Sequence, residues 1–310
     1  MLSLIHAIAG RPWAIRAEIA LHVRGMLARE GISGLRHLAA LKDEVHAFDP
    51  QAASRGAGGR AVGTVAVVPV IGTLTQRVQA VGSAQTRSTA EIAAQVRAYA
   101  ADPAIDAVLL EIDSPGGEVF GVPEAWQSIR DSAQMKPVVA HANSIAASAA
   151  LYLGSAASEF WATPSGEVGS VGVYALHVDM SKALEEMGEA WDFIIATKSP
   201  YKIEGNPTGP LTGEARVHAQ KDVDRYMGMF VRDLAKGRGL SEKRVEADFG
   251  GGRMLGPNEA RAVGMIDQVG TFEQAVRRAA QLGGSRGMGK ARAELFQPPA
   301  AMDPAELAAR

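Results

Sequence analysis

Ala107-Val108-Leu109-Leu110-Glu111-Ile112 runs straight into Asp113-Ser114-Pro115-Gly116-Gly117, a near-continuous apolar strand ending in a glycine-rich turn. Such a run leaves neither face to water, the habit of a parallel strand with helices on both sides. Thr64 through Ile71 (Thr-Val-Ala-Val-Val-Pro-Val-Ile) is a second run of the same kind, so the core is expected to start at Gly63. Between the two, Ser88-Thr89-Ala90-Glu91 has the spacing of a capping box and predicts a helix to about Ala101. Beyond the glycines the pattern repeats. A helix is expected over Pro123–Ala133, a strand over Val138–His141, a helix over Ala146–Ala157 and a short strand over Glu159–Thr163. Strands alternating with helices of about ten residues argue for α/β crossover units.

Farther along, the pattern predicts a strand over Val171–Val178, a helix around Ser181–Met187, a strand over Asp192–Ala196 and a long amphipathic helix over Thr212–Arg238. Two short helices and a last strand near Met265–Val269 complete the core. Four segments follow: a helical N-terminal extension over 1–48, a glycine-rich linker over 49–62, the main domain over 63–282, and a disordered tail over 283–310, where periodicity is lost. The helical reading of the extension rests on the spacing of Ile15, Ile19, Leu21, Val23, Leu27, Leu35, Leu38 and Leu41.

Composition narrows the chemistry. The chain has 310 residues, 47% hydrophobic and 21% charged, with a net charge of −2 and no cysteine. A balanced charge leaves no electrostatic footprint for nucleic acid. Without cysteine there is no disulfide, thiolate metal site or cysteine nucleophile. No cofactor or metal is expected. The opening Met1–Gly10 lacks a basic start and is broken by His6, and no stretch supplies the roughly 20 apolar residues that cross a bilayer. The expectation is a cytoplasmic protein without a membrane anchor.

Three places can carry chemistry. Ser148 stands where strand and loop give way to an alanine-rich helix, a position that favours a nucleophile; the alternative is a serine tolerated in a packed helix. Gly116 and Gly117 let the main chain approach a substrate and aim N–H groups at an oxyanion; the alternative is a loop that merely needs glycine. Lys202 is a candidate base. A lysine amine is protonated at neutral pH unless it is desolvated, so that role requires a dry site; the alternative is a solvated loop lysine. Ser170 is a candidate to orient the amine. A Ser-His-Asp arrangement using His141, His177 or His218 with Asp179 or Asp222 stays open, as does acyl-CoA chemistry.

Ile112-Asp113-Ser114-Pro115-Gly116-Gly117, Ala146-Ala147-Ser148, Val168-Gly169-Ser170-Val171-Gly172-Val173 and Tyr201-Lys202, in that order, resemble the S49 serine peptidases, the signal peptide peptidase A group. The resemblance covers about Gly63 to Leu282 and implies an α/β fold of the crotonase/ClpP-like kind. It implies Ser148 as nucleophile, Lys202 as general base, Ser170 as the hydroxyl that orients the lysine, and Gly116 and Gly117 at the oxyanion loop. Lys202–Thr212 and Val178–Leu184 are similar to the phage and prophage head-maturation branch. That branch implies scaffold, portal or capsid proteins as substrates, self-cleavage in some cases, and a homo-oligomer. The alternatives are a soluble signal-peptide or membrane-protein-degrading S49 peptidase, or a non-enzymatic capsid scaffold component. One departure is that Ser148 precedes Ala149-Ala150 where many members carry two glycines; the extra methyls narrow the site, while the Ala149 N–H remains available to an oxyanion.

Overall fold

The computed structural model describes residues 12–15, 64–78, 80–81 and 84–295, with side chains described from 64 to 78 and from 86 to 284. A parallel sheet runs β2 (Val65–Ile71), β7 (Ala107–Ser114), β9 (Val138–Ala147), β10 (Glu159–Ala162) and β14 (Gln268–Val269). The far end of β9 leaves β10 and pairs with β11 (Glu167–Gly169), which pairs antiparallel with β13 (Met254–Leu255). Helices α1 (Thr89–Ala101), α2 (Val122–Met135) and α3 (Ala149–Ser155) make the crossovers between successive strands.

Both faces of β7 are buried, as its unbroken apolar run requires. Val108, Leu110 and Ile112 point into the larger core with Ile92, Trp126, Phe160, Phe230 and Leu234. Leu109, between them, points the other way, against Phe272, Ala275 and Ala279 of α8 (Phe272–Leu295). This is the two-residue period of a strand meeting helices on each side.

A second sheet lies at the end of the first, in the order β12 (Tyr174–Ala175), β1 (Pro12–Ile15), β8 (Gly116–Glu118), β3 (Leu74–Thr75), β6 (Arg87–Ser88). A hairpin of β4 (Ala80–Val81) and β5 (Ala84–Gln85) completes the described strands. Helices α4 (Ser181–Glu186), α5 (Gly213–Arg238), α6 (Glu242–Asp248) and α7 (Pro257–Ala262) come late in the chain.

Capping follows the sequence. Ser88 Oγ accepts from the Glu91 N–H at 3.2 Å, Thr212 Oγ1 accepts from the Ala215 N–H at 3.2 Å, and Gly239 closes α5 at φ 65. Several expectations are corrected. Val138 starts a strand of ten residues that runs through Ala147, and the helix begins only at Ala149, because Ser148 turns the chain. Of the expected strand Val171–Val178 only the short β12 forms, at Tyr174–Ala175; β11 ends before it at Gly169, and the left-handed Ser170 separates the two. Asp192–Ala196 forms no strand; among the described residues no other strand lies alongside to pair with it.

Within the expected helical extension, Pro12–Ile15 is a strand, paired on both edges. The rest of 1–48, and the linker 49–62, lie outside the described residues. At the other end, α8 continues through Gly283 to Leu295, so the loss of apolar periodicity there does not end the helix. Residues 296–310 of the expected tail are outside the described residues.

Candidate active site

β9 delivers Ser148 to the carboxyl edge of the parallel sheet, where open α/β sheets gather their ligands. Its backbone sits at φ 54, ψ −117. That is the first central position of a II′ turn, ordinarily a glycine position. Ser148 and Ser170 (φ 56) are the two non-glycine residues with positive φ among the described residues. Strain of this kind costs about 1–3 kcal/mol per residue and gathers at functional sites.

The two serines are neighbours through main-chain bonds. Ser148 N–H donates to the Gly169 carbonyl at 2.8 Å, and Ser170 N–H donates to the Arg253 carbonyl at 2.8 Å. Gly169 is itself forced: at φ 141, a Cβ there would stand 2.5 Å from the Arg253 oxygen. Gly169→Ala is therefore expected to destabilise the fold by about 2–3 kcal/mol in urea unfolding. It should also impair whatever Ser148 does, because the carbonyl that holds the Ser148 amide would shift.

Ser148 is fully buried and its Oγ has no hydrogen-bond partner among the described residues. A buried, unsatisfied hydroxyl costs about 1–3 kcal/mol and calls for an explanation. Behind it, α3 is clamped. Tyr152 stacks on Phe230 at 4.5 Å and donates to the Asp233 carboxylate, an arrangement that, with burial, holds the Tyr152 proton far above the ordinary phenol range. Trp126 Nε1 donates to Ser155 Oγ at 2.9 Å, which in turn donates to the Tyr152 carbonyl at 2.6 Å.

Ala149, fully buried, opens α3, so its N–H belongs to the first turn, where intrahelical acceptors are lacking. Gly116 has φ 94, and its N–H donates to the buried Ser114 Oγ at 3.2 Å. At Gly117 a Cβ would lie 1.8 Å from the Leu74 carbonyl, so close packing of β8 on β3 is enough to demand that glycine.

Lys202 sits in a turn over residues 201–205 and is exposed. Its N–H donates to the Ser199 carbonyl at 3.1 Å, and its amine does not bond Ser148 Oγ. The neighbouring Tyr201 bonds Glu214 at the start of α5, which raises its pKa. The histidines are occupied elsewhere. His141 is buried against Phe272, with Nε2 3.0 Å from the Gly270 carbonyl, and burial lowers its pKa. His177 Nε2 is 3.1 Å from the Gly209 carbonyl, and His218 is an exposed partner of Asp222 at 3.9 Å. None of them serves Ser148. Among the described residues no cluster of three or more metal-ligating side chains occurs, and no helix is long and apolar enough to cross a membrane.

A strained, buried serine between a strand and a helix at a sheet edge is the nucleophile-elbow geometry of serine hydrolases. The family model for Peptidase family S49 matches residues 130–286, half of the chain, and the chain belongs to this family of serine peptidases; its α/β fold is built on the mostly parallel sheet described above. Capsid assembly protease C of Escherichia phage lambda is 34% identical over 183 residues, 58% of this chain and 41% of that protein. Head-tail preconnector protein GP5 of Enterobacteria phage P21 is 35% identical over 188 residues, 60% of this chain and 37% of that protein. The matches thus span less than half the length of these two relatives. Among solved structures, a point mutant of ClpP1 from Listeria monocytogenes covers 68% of this chain and 94% of its own, at 18% identity and a TM-score of 0.40.

Motif order points to Ser148 and Ser170 as candidates. No serine announces the left-handed backbone that both adopt, and Pro12–Ile15 forms a strand where the apolar spacing fits a helix.

Proposed function

We propose that this protein is a Ser-Lys endopeptidase of phage capsid assembly, cleaving scaffold, portal or capsid proteins, and itself where its own chain reaches the site. The reading rests on one observation above all: Ser148 is held in glycine's conformation, buried, with an unpartnered hydroxyl, in a chain of family S49. Similarity to the phage capsid assembly protease supports the substrate class.

In the proposed cycle Lys202, as the free amine, takes the proton from Ser148 Oγ while Oγ bonds to the scissile carbonyl carbon. The N–H groups of Ala149 and of the Gly116–Gly117 pair receive the oxyanion, Gly116 giving up its bond to Ser114 Oγ. The C–N bond breaks, the leaving amine takes the proton back from lysine, and water then hydrolyses the acyl-serine ester. Ser170 orients the lysine amine.

A single copy leaves Lys202 in water. Beside it in sequence, Trp191, Phe193, Ile194 and Ile195 are all exposed, Ile194 at 98%. An apolar stretch of this kind favours a homo-oligomer in which a second copy covers the segment and desolvates the lysine. The proposed place of action is the host cytoplasm, inside the procapsid.

The test is co-expression with phage scaffold, portal and capsid proteins, followed by mass spectrometry of new protein termini. New termini that appear with the intact protein and vanish with Ser148→Ala are expected. Identical termini in both cultures would leave the non-enzymatic scaffold reading in its place.

A further inference from the structure

We propose that the slot between β8 and β12 is a binding site for an extended peptide and that the chain's own Pro12–Ile15 is its resident occupant, a strand that an incoming substrate must displace. This deepens the peptidase reading and rests on it. Both walls of the slot descend from the candidate site. β8 contains Gly116 and Gly117, and β12 begins four residues after Ser170.

Pro12–Ile15 runs antiparallel to both walls. Trp13 is opposite Glu118 on one side and Tyr174 on the other, Ala14 is opposite Gly117, and Ile15 is opposite Gly116. A strand inserted between two others through main-chain bonds is how proteins take up extended peptides of varied sequence. The occupant here arrives from far away in the sequence, and β8 still pairs with β3 when β1 is lifted out.

The wall is also incomplete in a telling way. The Tyr174 hydroxyl is buried without a hydrogen-bond partner among the described residues, and burial raises its pKa. A peptide with a polar group at that point gains a bond that the present structure lacks. Through this register the resident strand lies against Gly116 and Gly117, the candidate oxyanion pair. Because it is covalently attached, it competes at a high effective concentration.

The absence of cysteine makes the lock testable in the full chain. Opposed residues of an antiparallel pair have Cβ atoms about 4.5–5.5 Å apart, near the span of a disulfide. Trp13→Cys combined with Tyr174→Cys should form an internal disulfide on oxidation. Hydrolysis of fluorescein-labelled casein should then fall at least about ten-fold and return with dithiothreitol. Ala14→Pro, which removes an N–H from a central strand, should lower KM several-fold with kcat unchanged.

An internal disulfide that leaves the rate untouched, a bond formed between copies instead, or an unchanged KM in Ala14→Pro overturns the proposal. If no form hydrolyses casein, the peptidase reading fails, and the slot is judged separately by amide hydrogen exchange at Gly116–Glu118. Faster exchange there in Ala14→Pro keeps Pro12–Ile15 as the occupant; unchanged exchange removes it.

Discussion

Ser148→Gly should end peptide hydrolysis and leave a more stable protein. The native backbone at φ 54, ψ −117 suits glycine and strains serine by about 1–3 kcal/mol. The buried Oγ, with no partner, adds a desolvation penalty of similar size. Glycine removes both, at the expense of a more flexible unfolded chain. A net gain of about 1–3 kcal/mol in urea unfolding is expected, with cleavage reduced at least about 10⁴-fold. Ser148→Ala separates the two contributions: it loses the hydroxyl but keeps the strain, so it should be as inactive and gain less stability. A glycine variant less stable than the parent would mean that the serine conformation is not strained. One that still cleaves would take Ser148 out of the chemistry.

Lys202→Ala should match that loss of activity without touching stability, which ought to stay within about 0.5 kcal/mol because the side chain is exposed. Lys202→Arg should be equally inactive, since a guanidinium does not give up its proton. The surface that is expected to shield the amine is open to a parallel test. Ile194→Glu places a charge on a side chain that is 98% exposed, so it does little to a single copy. If a second copy covers that segment, the variant should sediment as a single chain and lose activity with it. Activity retained in Lys202→Arg would assign the proton transfer to another group. A single-chain Ile194→Glu that cleaves normally would show that one copy is sufficient.

Most of the sheet was readable because burial on both faces writes itself as uninterrupted apolar sequence, as at Ala107–Ile112. One helix start was readable from its cap: Ser88 accepts the Glu91 N–H that its capping-box spacing announces. Alanine-rich sequence misled at Ala146–Ala147, since alanine favours helix locally and yields to sheet pairing with Ser114 and Val168. Asp192–Ala196 has strand composition, but a strand requires a neighbour, and none of the described strands lies beside it. Pro12–Ile15 was hidden by the converse effect: two waiting edges make a strand out of residues whose spacing fits a helix. At the site, motif order singled out Ser148 and Ser170, while the exposure of Lys202 depends on how its turn packs, which spacing does not encode.

The helix Phe272–Leu295 also sets a limit on maturation by clipping. Its first turns roof Leu109 and Val139, and Gly283 rests so near Asp106 that a methyl there would stand 2.8 Å from the Asp106 carbonyl oxygen. A cut upstream of Ala279 would strip that roof and wet the underside of the sheet that carries Ser148. C-terminal trimming that leaves this packing intact has to fall on the far side of Gly283.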